Sequence, residues 1–482
     1  MRASRRGNRL IAALPLALIA AALSPAPASA HGLVGRSDLP IPEWLFGWGA
    51  ALVLIVSFVA LALLWPRPRL ESGEWRPLPG GVGKVIASRP VEIVCGAIGV
   101  LLLGVVVWSG FAGSETPSAN FAPTFVYIGF WLGFVPLSVL FGDVFRAFNP
   151  WRAVGRAVGW TSARAARGAL PEALPYPRWL GRLPAAAGIT AFACLELVAD
   201  SGDSPRTIAV ATLLYSALTF LAMALYGVRT WIDKGEAFSV YFNLFSRISV
   251  FETRKGEVGL RRPLSGLAAL EPLPGTVLLL AVMIGSVSFD GLTSGGLWQN
   301  VAPELQNVFE GLGLGPARTL ELTFAFGLVA SIALAYGFYR LGVAGARSVG
   351  GGFSGSRLAE VFVHSLVPIA LVYAAAHYVS ALVFEGQRVI TLASDPLGDG
   401  RDFFGTAGSA VDYGVVGATT FWYIQVALVV AGHAAGLVLA HDRALVVYDK
   451  ARLAVRSQYW MLAVMVGYTS LALWLLSAAN KG

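Results

Sequence analysis

Residues 363–380 read VHSLVPIALVYAAAHYVS, a stretch apolar enough for a bilayer that carries two histidines with a proline between them. A helix crosses the hydrocarbon core with about 20 mostly apolar residues, and this stretch is the middle of such a segment, 358–385. Nine others follow the same pattern: 44–65, 91–112, 122–145, 184–200, 207–231, 273–290, 319–343, 412–440 and 458–478. The composition agrees, with 56% hydrophobic and 13% charged residues, where soluble chains carry about 25% charged. The sequence therefore predicts an all-α fold: a polytopic membrane helix bundle of about ten transmembrane helices, forming one domain over 31–482.

Residues 1–30 are read apart from that domain. Arg2, Arg5, Arg6 and Arg9 precede an apolar run from Leu10 to Leu23, which closes on Ala28-Ser29-Ala30. A basic start, a short apolar core and an A-x-A site predict a cleaved signal peptide, so the mature chain is expected to begin at His31. Cys95 and Cys194 stand far apart inside apolar segments, a usage that excludes a disulfide framework and a zinc ribbon.

The formal charge of +8 arises in loops between apolar segments, so a nucleic-acid partner is not expected. With His31 placed outside, alternate loops hold 26 of the 36 Lys and Arg and the opposite segments hold six. Such asymmetry marks the cytoplasmic side, which predicts a multi-pass protein of the cytoplasmic membrane with an extracytoplasmic mature amino terminus. The opposite end is acidic, with Glu115, Asp200, Asp203, Glu304, Glu310, Asp395, Asp399 and Asp402. The Arg- and Ala-rich loop 146–182 reads as an amphipathic piece on the membrane surface. SDPLGDGRDFFG at 394–405 lacks the spacing of a calcium loop and reads as an acidic turn.

One pattern occurs twice. GDVFRAFNPWR at 142–152 and GEAFSVYFNLFSR at 235–247 both run Gly, acid, any residue, Phe, then Asn, then Arg, and both enter the loop in the same direction. Helix pairs 91–152 and 184–247 are thus candidate duplicates, with Asp143, Asn149, Glu236 and Asn243 as candidate gate residues, since parallel repeats are common in transporters.

A charge at the centre of a spanning helix costs roughly 2.5 to 3.5 kcal/mol on insertion scales, so the polar groups inside the apolar segments carry weight. Glu92, Asp143, Glu360, Asp290 and Glu321 fall near segment ends, where water is expected to reach them. Glu196, His364, His377 and His433 remain, with Gln425 as a neutral partner. His364 and His377 are thirteen residues apart, about 140° around the helix and about 20 Å along it, so they cannot share one ion. Pro368 is expected to kink the helix and free a carbonyl at His364.

If segments 358–385 and 412–440 are antiparallel neighbours, depth counting puts His364 level with His433 and His377 level with Thr419 and Thr420. The first pair could hold a metal or a haem iron, relay protons, or pack against backbone carbonyls. At the other level, a mature His31 offers an α-amine and an imidazole suited to Cu or Zn. His377, Glu196 or Asp402 would supply further ligands. His441 reads as a surface histidine.

HGLVGRSDLPIPEWLFGWGA at 31–50, FGDVFRAFNPWRA at 141–153, PIALVYAAAHYVSALVFEGQ at 368–387, and GHAAGLVLAHDRAL with RSQYWMLAVMVGYTSLALWLLS near the end together resemble the bacterial membrane proteins labelled fenitrothion hydrolase. That resemblance implies a membrane-bound organophosphate hydrolase with a possible second membrane subunit. The residues themselves hold no H-x-H, H-E-x-x-H, P-loop or nucleophile elbow. Three readings follow: a metal-dependent hydrolase of lipophilic phosphoesters using His31, His377 and Glu196; a transporter or copper/zinc-handling permease; and a haem-bearing redox subunit using His364 and His433.

Overall fold

The structure, a computed structural model, describes residues 43–71, 73–166 and 172–479. The predicted signal peptide and His31 lie outside the described residues. In chain order the principal elements begin with α1 (Glu43–Leu64), β1 (Trp75–Pro77), α2 (Arg89–Ala112), α3 (Phe121–Phe141), α4 (Pro150–Ala165), α5 (Leu183–Leu197) and α6 (Pro205–Tyr226). They continue with α7 (Ala237–Ser246), β2 (Phe251–Arg254), β3 (Glu257–Arg261), α8 (Thr276–Thr293), α9 (Gly296–Gly311), α10 (Pro316–Ser348), α11 (Gly355–Ser394), α12 (Ala418–Val447) and α13 (Tyr459–Ala479).

Among the described residues, eight helices are long and apolar enough to cross a membrane: α1, α2, α3, α6, α8, α10, α11 and α12. The shorter apolar α5 and the terminal α13 occupy the two remaining apolar segments. The protein is a membrane-embedded α-helical bundle.

Burial separates its centre from its rim. In α8, 72% of the spanning window is buried and in α11 67%, against 17% in α2 and 22% in α10. The rim helices expose Leu52, Ile93, Leu101, Leu214, Leu218 and Val329, a face that only an apolar solvent accepts. The central α8 packs on α5, α10 and α11, and α11 packs on α12. Close approach is made by small residues: a Cβ on Gly285 of α8 would lie 2.5 Å from Ile332 Cα of α10.

Two central helices are broken. In α3, Phe125–Leu132 is wound as a π-helix, a form frequent at functional sites. In α11, a 3₁₀ turn at Val363–Ser365 separates Gly355–Phe362 from Leu366–Ser394. Pro368 stands in the first turn of the second piece, where its missing N–H costs no intrahelical bond. The expected kink is therefore a restart of the helix.

Several loops are more structured than expected. A three-stranded antiparallel sheet, order β1-β3-β2, pairs Trp75 with Arg261 and Phe251 with Leu260. It ties the loop after α1 to the loop after α7, a local exception to the all-α expectation. Residues 296–311, between two predicted spans, form the helix α9. Within 146–182, residues 150–165 are helical and expose Val158 and Trp160, as an amphipathic piece would.

The 394–405 segment is a turn held by its own acids. Asp395 accepts from the backbone N–H of Asp399 and Gly400, and Asp402 from Ser394 Oγ and Ala407 N. His441 contradicts the surface expectation: it is 1% exposed, with Nε2 3.0 Å from Trp65 O. Its neighbour Asp442 accepts from Trp65 Nε1 at 2.9 Å and from the N–H groups of Arg69 and Leu70. The chain leaving α1 folds back over this end of α12 and covers both residues.

Candidate functional site

The polar centre of the bundle forms around a residue that sequence position alone placed in water. Asp290, near the end of α8, is 7% exposed. The helix α9 caps that end, with Trp298 edge-on to Phe289 at 5.1 Å. Asp290 Oδ2 lies 2.8 Å from His377 Nε2 and accepts from Tyr378 Oη at 2.7 Å. His377 and Tyr378 are consecutive on α11, and both are buried. Their rings meet edge to face with centroids 4.5 Å apart, which turns both polar tips onto one carboxylate oxygen.

Glu196 of α5 lies within electrostatic reach of these groups. It is partly buried, and its charge acts on Asp290, Tyr378, Tyr241 and Tyr127. Two carboxyls, one imidazole and several phenols therefore share one region between apolar helices. Asp290, His377 and Tyr378 are joined by hydrogen bonds, and such a group can take up a proton and pass it on.

His377 is level with Gln425, whose Nε2 donates to Ala376 O at 2.9 Å, and not with Thr419 and Thr420. The same offset separates His364 from His433. His364 lies in the 3₁₀ turn, with Nδ1 3.1 Å from Val361 O, and it bonds the Leu439 backbone across α12. His433 lies further along, beside Tyr373, with Nδ1 2.7 Å from Val429 O. The two imidazoles are at different levels, so they do not fit one haem iron or one metal ion.

The expected Cu or Zn centre includes His31, which lies outside the described residues. His377 Nε2 is engaged by Asp290, and its Nδ1 edge faces Gly291, which has no side chain to fill the space beside it. Among the described residues no group of three or more His, Cys, Asp or Glu is placed to hold a metal ion. Asp402, the further ligand considered, is spent on its turn.

The two copies of the Gly-acid-Phe-Asn pattern meet and exchange partners. Asn149 of the first copy donates through Nδ2 to Glu236 Oε2 of the second at 2.9 Å and to Ser239 Oγ at 2.8 Å. Asn243 of the second copy donates to Asp143 Oδ2 of the first at 2.8 Å. Each acid opens a helix: Asp143 precedes the short turn Val144–Phe148, and Glu236 caps α7 by accepting from Phe238 N and Ser239 N.

Glu236 is fully buried and also accepts from Tyr215 Oη. Burial pushes the Asp143 carboxyl above its ordinary value, opposed by Arg146, Asn243 and Arg247. Gly142 fits its place because its φ is +87° and a Cβ would lie 2.9 Å from Phe251 O. Arg152, the basic member of the first copy, pairs with Glu92 of α2.

Beside this junction opens an apolar cleft of ≈ 790 Å³ between α2, α3, α5 and α6, within the size range of small-molecule sites. Phe130, Phe192, Trp151 and Phe238 line it. Tyr215 brings the Glu236 pair to one end, and Arg318 and Glu321 of α10 stand at the other. The Asp290 cluster lies on the opposite side of α5 and does not line this cleft.

No protein-family model matches the chain, and neither a curated protein nor a solved structure is significantly similar to it.

Proposed function

We propose that the chain is a permease of the cytoplasmic membrane in which Asp290, His377, Tyr378 and Glu196 form a proton-exchange station. The observation that carries this reading is the convergence of His377 Nε2 and Tyr378 Oη on Asp290 Oδ2 inside apolar helices. Ionisable groups held there at an energetic cost are characteristic of proton relays. The exchanged acid–asparagine pairs support a duplicated architecture, and the breaks in α3 and α11 resemble the discontinuous helices of transporters.

In this reading ten helices cross the bilayer after a cleaved signal peptide. The basic loops face the cytoplasm, and the Asp143–Asn243 and Glu236–Asn149 pairs form the inner gate. The station is tested by pH-difference infrared spectroscopy of purified protein. A carboxylic-acid band that titrates, disappears in Asp290→Asn and shifts in Tyr378→Phe is the expected result. An absence of any titrating band from pH 5 to pH 8, the range in which histidine ordinarily changes charge, would mark the cluster as structural.

The second reading is the hydrolase of lipophilic phosphoesters that the family resemblance implies. One observation favours it: the ≈ 790 Å³ aromatic cleft would admit such a substrate from the bilayer, with the Tyr215–Glu236 pair at its end. Turnover of a phosphotriester by purified protein, abolished in Tyr215→Phe, would move the assignment from permease to enzyme.

A further inference from the structure

We propose that His433, Met461 and Met465 form a binding site for Cu(I) inside the bundle, separate from the Asp290 station and independent of the permease reading. His433 is fully buried, and Nδ1 bonds Val429 O. A carbonyl only accepts, so the proton sits on Nδ1 and Nε2 presents a bare lone pair. That Nε2 has no hydrogen-bond partner among the described residues, where an unmet buried acceptor costs about 1–3 kcal/mol.

The ring lines a cavity of ≈ 70 Å³ whose wall also includes Met461 and Met465. The two methionines are four residues apart on α13 and so share one helix face. The whole chain has five methionines, and two of them line the same cavity as this orphaned imidazole.

The donor set decides the metal. Thioether sulfur with a neutral imidazole selects Cu(I) over the harder divalent ions. Among the described residues no Asp or Glu lines the cavity, which suits a monovalent ion and penalises an uncompensated divalent one. The volume exceeds the ~30 Å³ share of one water, leaving room for an ion. Three aromatic residues, Phe338, Tyr339 and Tyr468, also line it, and aromatic rings attract cations. On α8 the lining Ile284 precedes Asp290 by six residues, and on α11 Ile369 precedes His377 by eight. The copper site would thus lie ~9–12 Å along the axis from the proton station.

The test is anaerobic titration of the detergent-solubilised full chain with Cu(I) against a colorimetric Cu(I) chelator. Wild type is compared with His433→Ala, Met461→Leu and Met465→Leu, and Zn(II) serves as the control ion. The expected result is one Cu(I) equivalent lost in His433→Ala and affinity weakened roughly tenfold or more in each leucine variant, with sulfur and nitrogen scatterers in the X-ray absorption spectrum. Met→Leu conserves volume, so those variants keep the test valid if His433→Ala fails to fold. Copper held at residue 31 is common to all the proteins and cancels in the comparison. Equal Cu(I) binding by wild type and the leucine variants, or a copper shell without sulfur, would overturn the proposal and leave the cavity to water.

Discussion

Replacing Asn149 by alanine removes three contacts at once: its donations to Glu236 Oε2 and Ser239 Oγ, and its acceptance from Arg152 N at the start of α4. Loss of an N-cap costs about 0.5–2 kcal/mol. Leaving a buried acceptor short of a donor costs about 1–3 kcal/mol more, the upper part of that range applying to a carboxylate. Glu236 keeps Tyr215 Oη and two backbone N–H groups, which argues for the middle of the range. Together these predict a loss of about 2–4 kcal/mol, to be read from reversible unfolding in mixed micelles by far-ultraviolet circular dichroism.

Asn149→Asp separates the cap from the exchange. It keeps the cap acceptor but sets a second carboxylate against Glu236. Two like charges at that range raise one of the two pKa values, so this variant should be least stable at neutral pH and recover as the pH falls, while Asn149→Ala shows no such recovery. In a double-mutant cycle, Asn149→Ala and Glu236→Gln should couple by about 1 kcal/mol or more, as contacting residues do. A loss below about 0.5 kcal/mol in Asn149→Ala, the scatter of ordinary surface substitutions, would refute the reasoning. Strict additivity in the cycle would do the same.

In the second copy of the pattern, Asn243→Ala removes the bonds to Asp143 Oδ2 and from Arg247 Nε, and should cost about 1–2 kcal/mol in the same unfolding assay. Because Asp143 is held above its ordinary value by burial, the native state binds that proton more tightly than the unfolded chain. Stability is then greatest below the ordinary aspartate value of about 3.9 and falls as pH rises through the raised one; Asp143→Asn should flatten this part of the pH–stability curve, and an unchanged curve would contradict the assignment. Gly285→Ala puts a methyl against the Ile332 backbone and should cost about 1–3 kcal/mol through overpacking, measured as a lower midpoint of thermal inactivation or unfolding. Gln425→Leu loses one bond to Ala376 O and should cost only about 0.6 kcal/mol, the average for side-chain bonds between membrane helices.

The spans were legible because length and apolarity are local properties, and every apolar segment read from the sequence is occupied by a helix of the bundle. Depth was not. Hydropathy ended the eighth segment at 385, yet α11 continues to Ser394. Glu385 and Arg388 pair one turn apart at 3.0 Å on its surface, so charge there interrupts the hydropathy but not the helix. That extension shifts the register of α11 against α12. It carries His364 to Leu439, leaves His433 beside Tyr373, and brings His377 to Gln425.

Asp290 was missed for a related reason. Its place near a segment end implied water, but α9 covers that end. The signal for α9 was present in GLWQNVAPELQNVFEG, where Leu297, Val301, Leu305 and Val308 recur at helical spacing. The Gly-acid-Phe-Asn repeat was visible as a pattern, whereas the exchange of partners depends on how two copies face one another. Had each acid bonded the asparagine of its own copy, the strings would read the same. The reciprocity ties the two strings together, because each acid–asparagine contact joins a residue of one to a residue of the other. That coupling is why Asn149 and Glu236 are the residues whose cycle discriminates a gate from two independent helix caps.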